Sequence, residues 1–178
     1  MSFLHNPHLD LTLQTIETPR CILVPFSTDG QVDINELNDE FCKANKDFFV
    51  SPFLPNHAQE VEFLQKVMQD IENRNVLELF VLEKDAKRFI GCVGLNRKEE
   101  YQMNIGFWIR VDEYGKGFAT EAYRALLDWA RENTIYSYLR HSLIPTNIAS
   151  RKLALKFGGV LQNETNEKGD EIYHISLS

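Results

Sequence analysis

The stretch "VDEYGKGFATEAYRALLDWARE", Val111 to Glu132, decides the fold. Two glycines flank a lysine, and an amphipathic run follows at once. Phe118, Ala122, Leu126 and Ala130 form one stripe at helical spacing, and Ala119, Tyr123 and Leu127 widen it. The spacing predicts a helix that starts near Gly117. Just before the loop, "YQMNIGFWIR" (Tyr101 to Arg110) alternates strictly. Tyr101, Met103, Ile105, Phe107 and Ile109 point one way, and Gln102, Asn104, Gly106, Trp108 and Arg110 the other, which predicts a strand.

A strand that feeds a helix through glycines makes a place for an anion. The first turn of a helix has N–H groups without internal partners, and the dipole adds roughly half a positive charge there. Glycines leave room for a bulky phosphate to approach the backbone, and Lys116 adds a full charge. The competing reading is a tight turn in which glycine merely permits positive φ. Two glycines around one lysine, directly before a helix, weigh against it. Other phosphate loops fail on pattern. The order Gly115-Lys116-Gly117-Phe118 is wrong for a Walker loop. A dinucleotide fingerprint needs a third glycine or alanine where Thr120 stands, near the first βα turn rather than after three strands.

Outward from this core the elements are short and alternate in type. "RCILVPF" (Arg20 to Phe26) reads as a first strand. Ile34, Leu37 and Phe41 share a helical face, with Asp33 as cap. "SPFLPN" (Ser51 to Asn56) is a proline-punctuated loop, and Val61, Leu64, Met68 and Ile71 mark a second helix. Strands are expected at Val76 to Glu83 and Arg88 to Asn96, joined by the turn "KDAK". After the glycine-loop helix come a strand at Tyr138 to Ile144 and a helix capped by Asn147, with Ala149, Leu153 and Phe157 on one face. "GGVLQNE" and "DEIYHISL" close the chain as two strands around the turn "NEKGD". The expected fold is α+β in layers: a mixed, mostly antiparallel sheet of about seven strands flanked by helices.

The chain has 178 residues, the size of one domain. We expect a single domain over 1–178, with an extension at 1–18 and a core at 19–177. Hydrophobic residues at 43% and charged residues at 25% match ordinary globular usage. A formal charge of −7 argues against a basic nucleic-acid-binding face, although it suits attraction to a basic protein partner. Cys21, Cys42 and Cys92 are widely spaced without a C-x-x-C, so neither a zinc site nor a disulfide framework is expected. His5 and His8 are expected on a mobile terminus rather than at a metal. No secretory signal or membrane span is read, so the expected location is cytoplasmic.

"GFWIRVDEYGKGFATEAYRALLDWA" resembles the acetyl-CoA-binding segment of the GCN5-related N-acetyltransferase (GNAT) superfamily. "PTNIASRKLALKFGG" resembles its following segment, and "RCILVPF" the first strand of the subgroup that includes ribosomal-protein N-terminal acetyltransferases. The order matches from about Pro19 to Leu177. The loop pattern Gln/Arg-x-x-Gly-x-Gly/Ala falls on Tyr114, Gly115, Lys116, Gly117, Phe118 and Ala119, with Thr120 next. Tyr114 departs from the usual Gln or Arg, while backbone donors stay able to cradle a pyrophosphate. The resemblance implies that the strands near Trp108 and His141 splay apart. The pantetheine arm would lie in the gap, pairing with Phe107, Trp108, Ile109, Arg110 and Val111. Asn147 resembles the asparagine that bonds the pantetheine, and Ser150 completes the same Asn-x-x-Ser segment. Acetyl-CoA is the implied cosubstrate, with no metal.

The implied reaction is direct attack of a primary amine on the thioester. A backbone N–H near Phe107 to Ile109 would meet the developing oxyanion. The usual proton handlers are missing. Asn104 stands where many relatives carry a carboxylate, and Ala154 where many carry a tyrosine. Glu100, Tyr101, His141 and Ser142 are the nearby candidates, with His141 and Ser142 as the expected catalytic pair; His141 titrates in the right range. The competing reading of His141 is an ordinary histidine on a sheet face.

The missing base points to an acceptor. An α-amine with pKa near 7.7 is neutral in roughly one molecule in six at pH 7, a lysine only a few times in ten thousand. The acceptor expected is therefore a protein N-terminus, and the subgroup resemblance implies a ribosomal one. The acceptor cleft is placed by topology at "FFVSPFLPN", with Phe48, Phe49 and Phe53, and at the turn from Asn163 to Asp170. A small-molecule amine acetyltransferase and a non-catalytic acyl-CoA-binding or sensing module stay open, as do a monomer and a homodimer. No nucleic-acid or membrane partner is expected.

Overall fold

The computed structural model describes residues 3–27, 30–45, 57–99 and 102–178. Eight strands form one sheet, in the order β1-β2-β3-β4-β5-β6-β8-β7. The strands are β1 (Ile16–Glu17), β2 (Cys21–Pro25), β3 (Val76–Glu83), β4 (Phe89–Glu99), β5 (Gln102–Ile109), β6 (Tyr138–Leu143), β7 (Val160–Thr165) and β8 (Glu171–Ser176). The helices are α1 (Ile34–Asn45), α2 (His57–Glu72), α3 (Phe118–Asn133) and α4 (Ile148–Lys156). Neighbouring strands run antiparallel except β5 and β6, which are parallel and register at one pair, Asn104 with Arg140. The mixed, mostly antiparallel sheet expected from the sequence is present, with one strand more than anticipated. That strand, β1, has two residues, too few for any periodicity to show.

Alternation assigns each strand two faces. On one face Leu79, Val81, Leu95, Met103 and Ile105 pack against Phe118, Ala122, Leu126 and Leu127 of α3 in the main core. On the other, Phe80, Leu82, Phe89 and Cys92 pack with Leu37 and Leu64 of α1 and α2. Helix α1 starts where expected: Asp33 Oδ1 accepts the N–H of Asn35 at 2.8 Å and of Glu36 at 3.3 Å. Such a cap is worth about 1 kcal/mol.

The N-terminal segment differs from its expectation. Phe3, Leu4 and Leu11 are buried. Ile135 N–H donates to Phe3 C=O at 3.0 Å, and Trp129 Nε1 to Gln14 Oε1 at 3.3 Å. Three such burials contribute about 1.5–3 kcal/mol each, enough to hold the segment along α3. His5 and His8 stay exposed.

Candidate active site

Helix α3 has an unusual beginning. A 3-10 turn at Val111–Glu113 leads into Tyr114, and both following glycines take positive φ, Gly115 at +77° and Gly117 at +88°. Gly117 occupies the N-cap position and offers no side-chain cap. The N–H groups of Gly115, Gly117, Phe118, Ala119 and Thr120 have no acceptor among the described residues. Five donors and the positive end of a four-turn helix therefore converge on one spot. This is the arrangement that binds phosphate.

The loop is braced from behind. Glu121 receives the hydroxyl of Thr18 at 2.6 Å, the N–H of Arg20 at 2.7 Å and the Arg20 guanidinium at 2.7 Å. Arg20 also donates to Lys116 C=O at 3.0 Å and lies over the Phe118 ring at 4.4 Å. Lys116 is less available than its sequence position suggests, because its Nζ sits 3.1 Å from the buried Glu113 carboxylate, which also takes Arg88 at 2.6 Å. The carboxylate balances the two cations. The loop's attraction for an anion therefore comes chiefly from its backbone.

In front of the loop lies a cleft of about 530 Å³. Tyr114, Gly115, Gly117, Ala119 and Thr120 form its base. Phe107, Trp108 and Ile109 form one wall, and Asn147 and Ser150 face them from α4. These predicted residues are brought together. Others lie outside the cleft lining. Arg110 turns to α1, where it meets Glu36 and stands 3.6 Å from Glu40 and 3.1 Å from Asp112. Val111 is exposed, and Phe118 is buried beneath Arg20. Tyr114 Oη reaches Ala44 C=O at 3.4 Å, which ties the loop to α1. Lys152 and Lys156 of α4 also line the cleft. Sequence reading did not single them out.

The wall at β5 is an open strand edge. Arg110 N–H donates to Ile90 C=O at 2.9 Å, and strand alternation then turns the N–H groups of Ile109 and Phe107 toward β6. Beyond Asn104 and Arg140, β6 makes no pair with them. The strands splay as expected. The Phe107 ring fills the base of the gap, edge-on to Tyr123 at 5.7 Å and to His141 at 5.8 Å.

His141 is buried, with Nδ1 2.8 Å from Tyr123 Oη and Nε2 2.8 Å from Ser150 Oγ. Burial pushes its pKa down to about 4, so the ring is neutral at physiological pH. Burial also raises the Tyr123 phenol well above its ordinary value. The bonds are satisfied when Tyr123 O–H donates to Nδ1 and Nε2–H donates to Ser150 Oγ. Both ring nitrogens are thus occupied by protein. Ser142 points to the opposite face and is exposed. Asn147 Oδ1 caps α4 by accepting Ser150 N–H at 3.0 Å, and its amide NH₂ has no acceptor among the described residues.

Behind the open edge, on the α1 and α2 side, a second cleft of about 720 Å³ meets the first at Phe107, Trp108, Asn147 and Ser150. Ser142 lines it, as do Lys168 and Asp170 from the turn between Asn163 and Asp170. "FFVSPFLPN", Glu100 and Tyr101 lie outside the described residues. The cleft also contains Glu78 of β3, which sequence reading did not single out. Burial pushes its carboxyl up to about 8.

Comparison with known proteins agrees with this geometry. The family model described as Acetyltransferase (GNAT) domain matches residues 20–160. A Bacillus subtilis (strain 168) relative named uncharacterized N-acetyltransferase YjdG is 26% identical, over 92% of this chain and 94% of its own. Among solved structures, the ribosomal L7/L12 α-N-protein acetyltransferase RimL in complex with coenzyme A superposes with a TM-score of 0.77 at 12% identity. That match covers 92% of this chain and 98% of RimL. The microcin C7 self-immunity acetyltransferase MccE, in complex with acetyl-CoA and AMP, superposes with a TM-score of 0.72 at 23% identity, covering 94% and 99%. Among the described residues no helix is long and apolar enough to cross a membrane.

Proposed function

The chain belongs to the GNAT acetyltransferase domain family, and from that premise we propose that it moves the acetyl group of acetyl-CoA onto the α-amine of a protein N-terminus. One observation carries the reading: five unpartnered N–H groups, from Gly115 to Thr120, open onto a cleft that runs to the free edge of β5. The diphosphate of acetyl-CoA fits the first feature. Its extended pantetheine arm, which has amides of its own, fits the second.

Asn147 would bond that arm through its amide group, since its Oδ1 is the atom engaged in capping α4. The N–H of Phe107 or Ile109 would then meet the thioester oxygen as charge develops. Lys152 and Lys156 stand at the rim for the remaining phosphate charge. Acetyl-CoA supplies the thioester; the chain's share is to align the two reactants, which contributes up to about 11 kcal/mol in favourable cases. Ser150, backed by His141 and Tyr123, faces the gap where the thiolate would leave and holds a hydroxyl proton there.

The choice of acceptor is supported by the RimL neighbour, which acts on a ribosomal-protein α-amine, and by the larger neutral fraction of α-amines at pH 7. Calorimetry with acetyl-CoA, followed by thiol release against N-terminal peptides, free lysine and polyamines, tests both parts. Binding with faster turnover of N-terminal peptides is expected. A preference for lysine or polyamines would overturn the acceptor assignment. Tight binding without any thiol release would make the chain an acyl-CoA-binding module.

A further inference from the structure

We propose that Glu78 is the catalytic base of this enzyme, the group that takes the proton from the acceptor ammonium. The inference rests on the transferase reading above and adds to it a residue for the proton transfer.

The argument starts from sheet register. Glu78 on β3 stands opposite Gly94 on β4, and Gly94 stands opposite Gly106 on β5. All three lie on one sheet face, where Glu78 and Gly106 line the second cleft, so two consecutive cross-strand positions beside Glu78 carry no side chain. The carboxyl lies over Gly94, where an added Cβ would collide with it. Gly106, by contrast, has open space above it. Adjacent strands are about 4.8 Å apart, so roughly one strand spacing separates a carboxyl over Gly94 from the backbone at Gly106. A thioester along the outer edge of β5 lies a further strand spacing out, so the carboxylate would reach an ammonium held above Gly106 directly or through one water. Gly106 immediately precedes Phe107, whose N–H faces that edge.

Among the described residues nothing competes for the carboxylate. Among the described residues it makes no side-chain hydrogen bond or ion pair, although the fold pairs most of its other half-buried acids. The other charged or titratable groups lining the cleft are Lys66 and Asp70 on α2, Cys92 on β4, His141 on β6, and Lys168 and Asp170 at the β7–β8 turn. Asp170 accepts from Asn166 at 2.7 Å, and His141 has both nitrogens engaged. A half-buried carboxyl without a partner is costly in a purely structural role, and burial keeps it largely protonated at neutral pH until a cation arrives. It is useful if a cation arrives to meet it.

The proton balance is simple. The ammonium gives one proton to the Glu78 carboxylate, and the freed lone pair attacks the thioester carbon. The C–S bond then breaks, with its electron pair going to sulfur. The second nitrogen proton ends on the thiolate, giving the amide and free thiol, and Glu78 returns its proton to water. With the Glu78 carboxyl pushed up to about 8, transfer from an α-ammonium near 7.7 is almost thermoneutral, whereas transfer from lysine near 10.4 is uphill. The same residue would therefore favour α-amines.

The test is steady-state kinetics of Glu78→Gln and Glu78→Asp with an N-terminal peptide between pH 6 and 10, with acetyl-CoA calorimetry and melting curves as controls. Glu78→Gln is expected to lose about 100-fold or more in kcat at pH 7 with little change in KM. The loss should shrink as pH rises and the amine becomes neutral unaided, and Glu78→Asp should retain part of the rate. Acetyl-CoA affinity should be unchanged in both. A Glu78→Gln enzyme with near-wild-type kcat, or a defect confined to KM, overturns the assignment and leaves the transferase reading intact. Wild-type protein that binds acetyl-CoA but acetylates no amine overturns both.

Discussion

Arg20 and Glu121 are 101 positions apart and meet at 2.7 Å, joining the first long strand to the opening turn of the loop helix. The pair belongs to a small cluster in which Thr18 and the Arg20 N–H also donate to the same carboxylate. Burial alone would raise the Glu121 carboxyl, but these donors hold it below its ordinary value. A lowered carboxyl pKa stabilises the fold above the unfolded value and loses that contribution as pH falls through the folded one. Glu121→Gln is therefore expected to destabilise the protein at pH 7 by about 1–3 kcal/mol, a fall of roughly 2–4 °C in Tm for each kcal/mol. The difference should close below pH 4. Calorimetric melting across pH checks this, and a constant difference would contradict it.

The two loop glycines have separable effects. At Gly117 φ is +88°, and an added Cβ would lie 3.4 Å from the Arg20 guanidinium. Gly115, at +77°, has open space around it. Alanine at either site carries backbone strain of order 1 kcal/mol. At 117 it also disturbs the Arg20 brace and puts a methyl group over the donor cluster. Gly117→Ala should weaken acetyl-CoA binding by about tenfold or more, with Gly115→Ala closer to wild type. Equal affinities for the two variants, measured by titration calorimetry, would contradict the placement of the diphosphate on the α3 donors.

Much of this was legible because the signals are local. Positive φ at a strand-to-helix junction calls for glycine, and "YGKGFATEA" displays two. Strict alternation from Gln102 to Ile109 and the stripe from Phe118 to Ala130 announce their elements without tertiary help. Glu78 was not legible. In "VLELFVLE" it is one of two glutamates in a mostly apolar strand, with nothing local to set it apart. The role proposed for it appears only when β4 and β5 bring Gly94 and Gly106 into register with it, 16 and 28 positions along the chain. The partners of His141 were hidden for the same reason, since Tyr123 and Ser150 reach it from two different helices.

Lys152 and Lys156 sit one turn apart on α4 and both line the first cleft. Spacing of four residues places them on one helix face, facing the loop donors across the opening. If they contact phosphate charge at the rim, a double Lys152→Glu, Lys156→Glu variant should bind acetyl-CoA at least about tenfold more weakly at low salt. The gap should narrow as ionic strength rises and the Debye length falls below about 8 Å. The Tm should stay near wild type, because surface substitutions usually change stability by less than about 0.5 kcal/mol. A salt-independent defect would argue for lost packing instead.

His141 gives the protein an acid-sensitive point. The ring is buried and neutral between Tyr123 and Ser150, and burial holds its pKa at about 4 against an ordinary 6.5. The folded state therefore refuses a proton that the unfolded chain accepts. The unfolded chain binds more protons between pH 6.5 and 4, so stability rises with pH through that window and is lost on acidification. A depression of this size corresponds to about 3 kcal/mol at most. His141→Gln retains a donor and an acceptor without a titrating group. It should lower Tm modestly at pH 8, and it should remove much of the decline between pH 6.5 and 4. Melting curves of the two proteins at half-unit pH steps measure the difference directly. Parallel declines would mean that the acid sensitivity comes from the carboxylates and that His141 accepts its proton without opening the site.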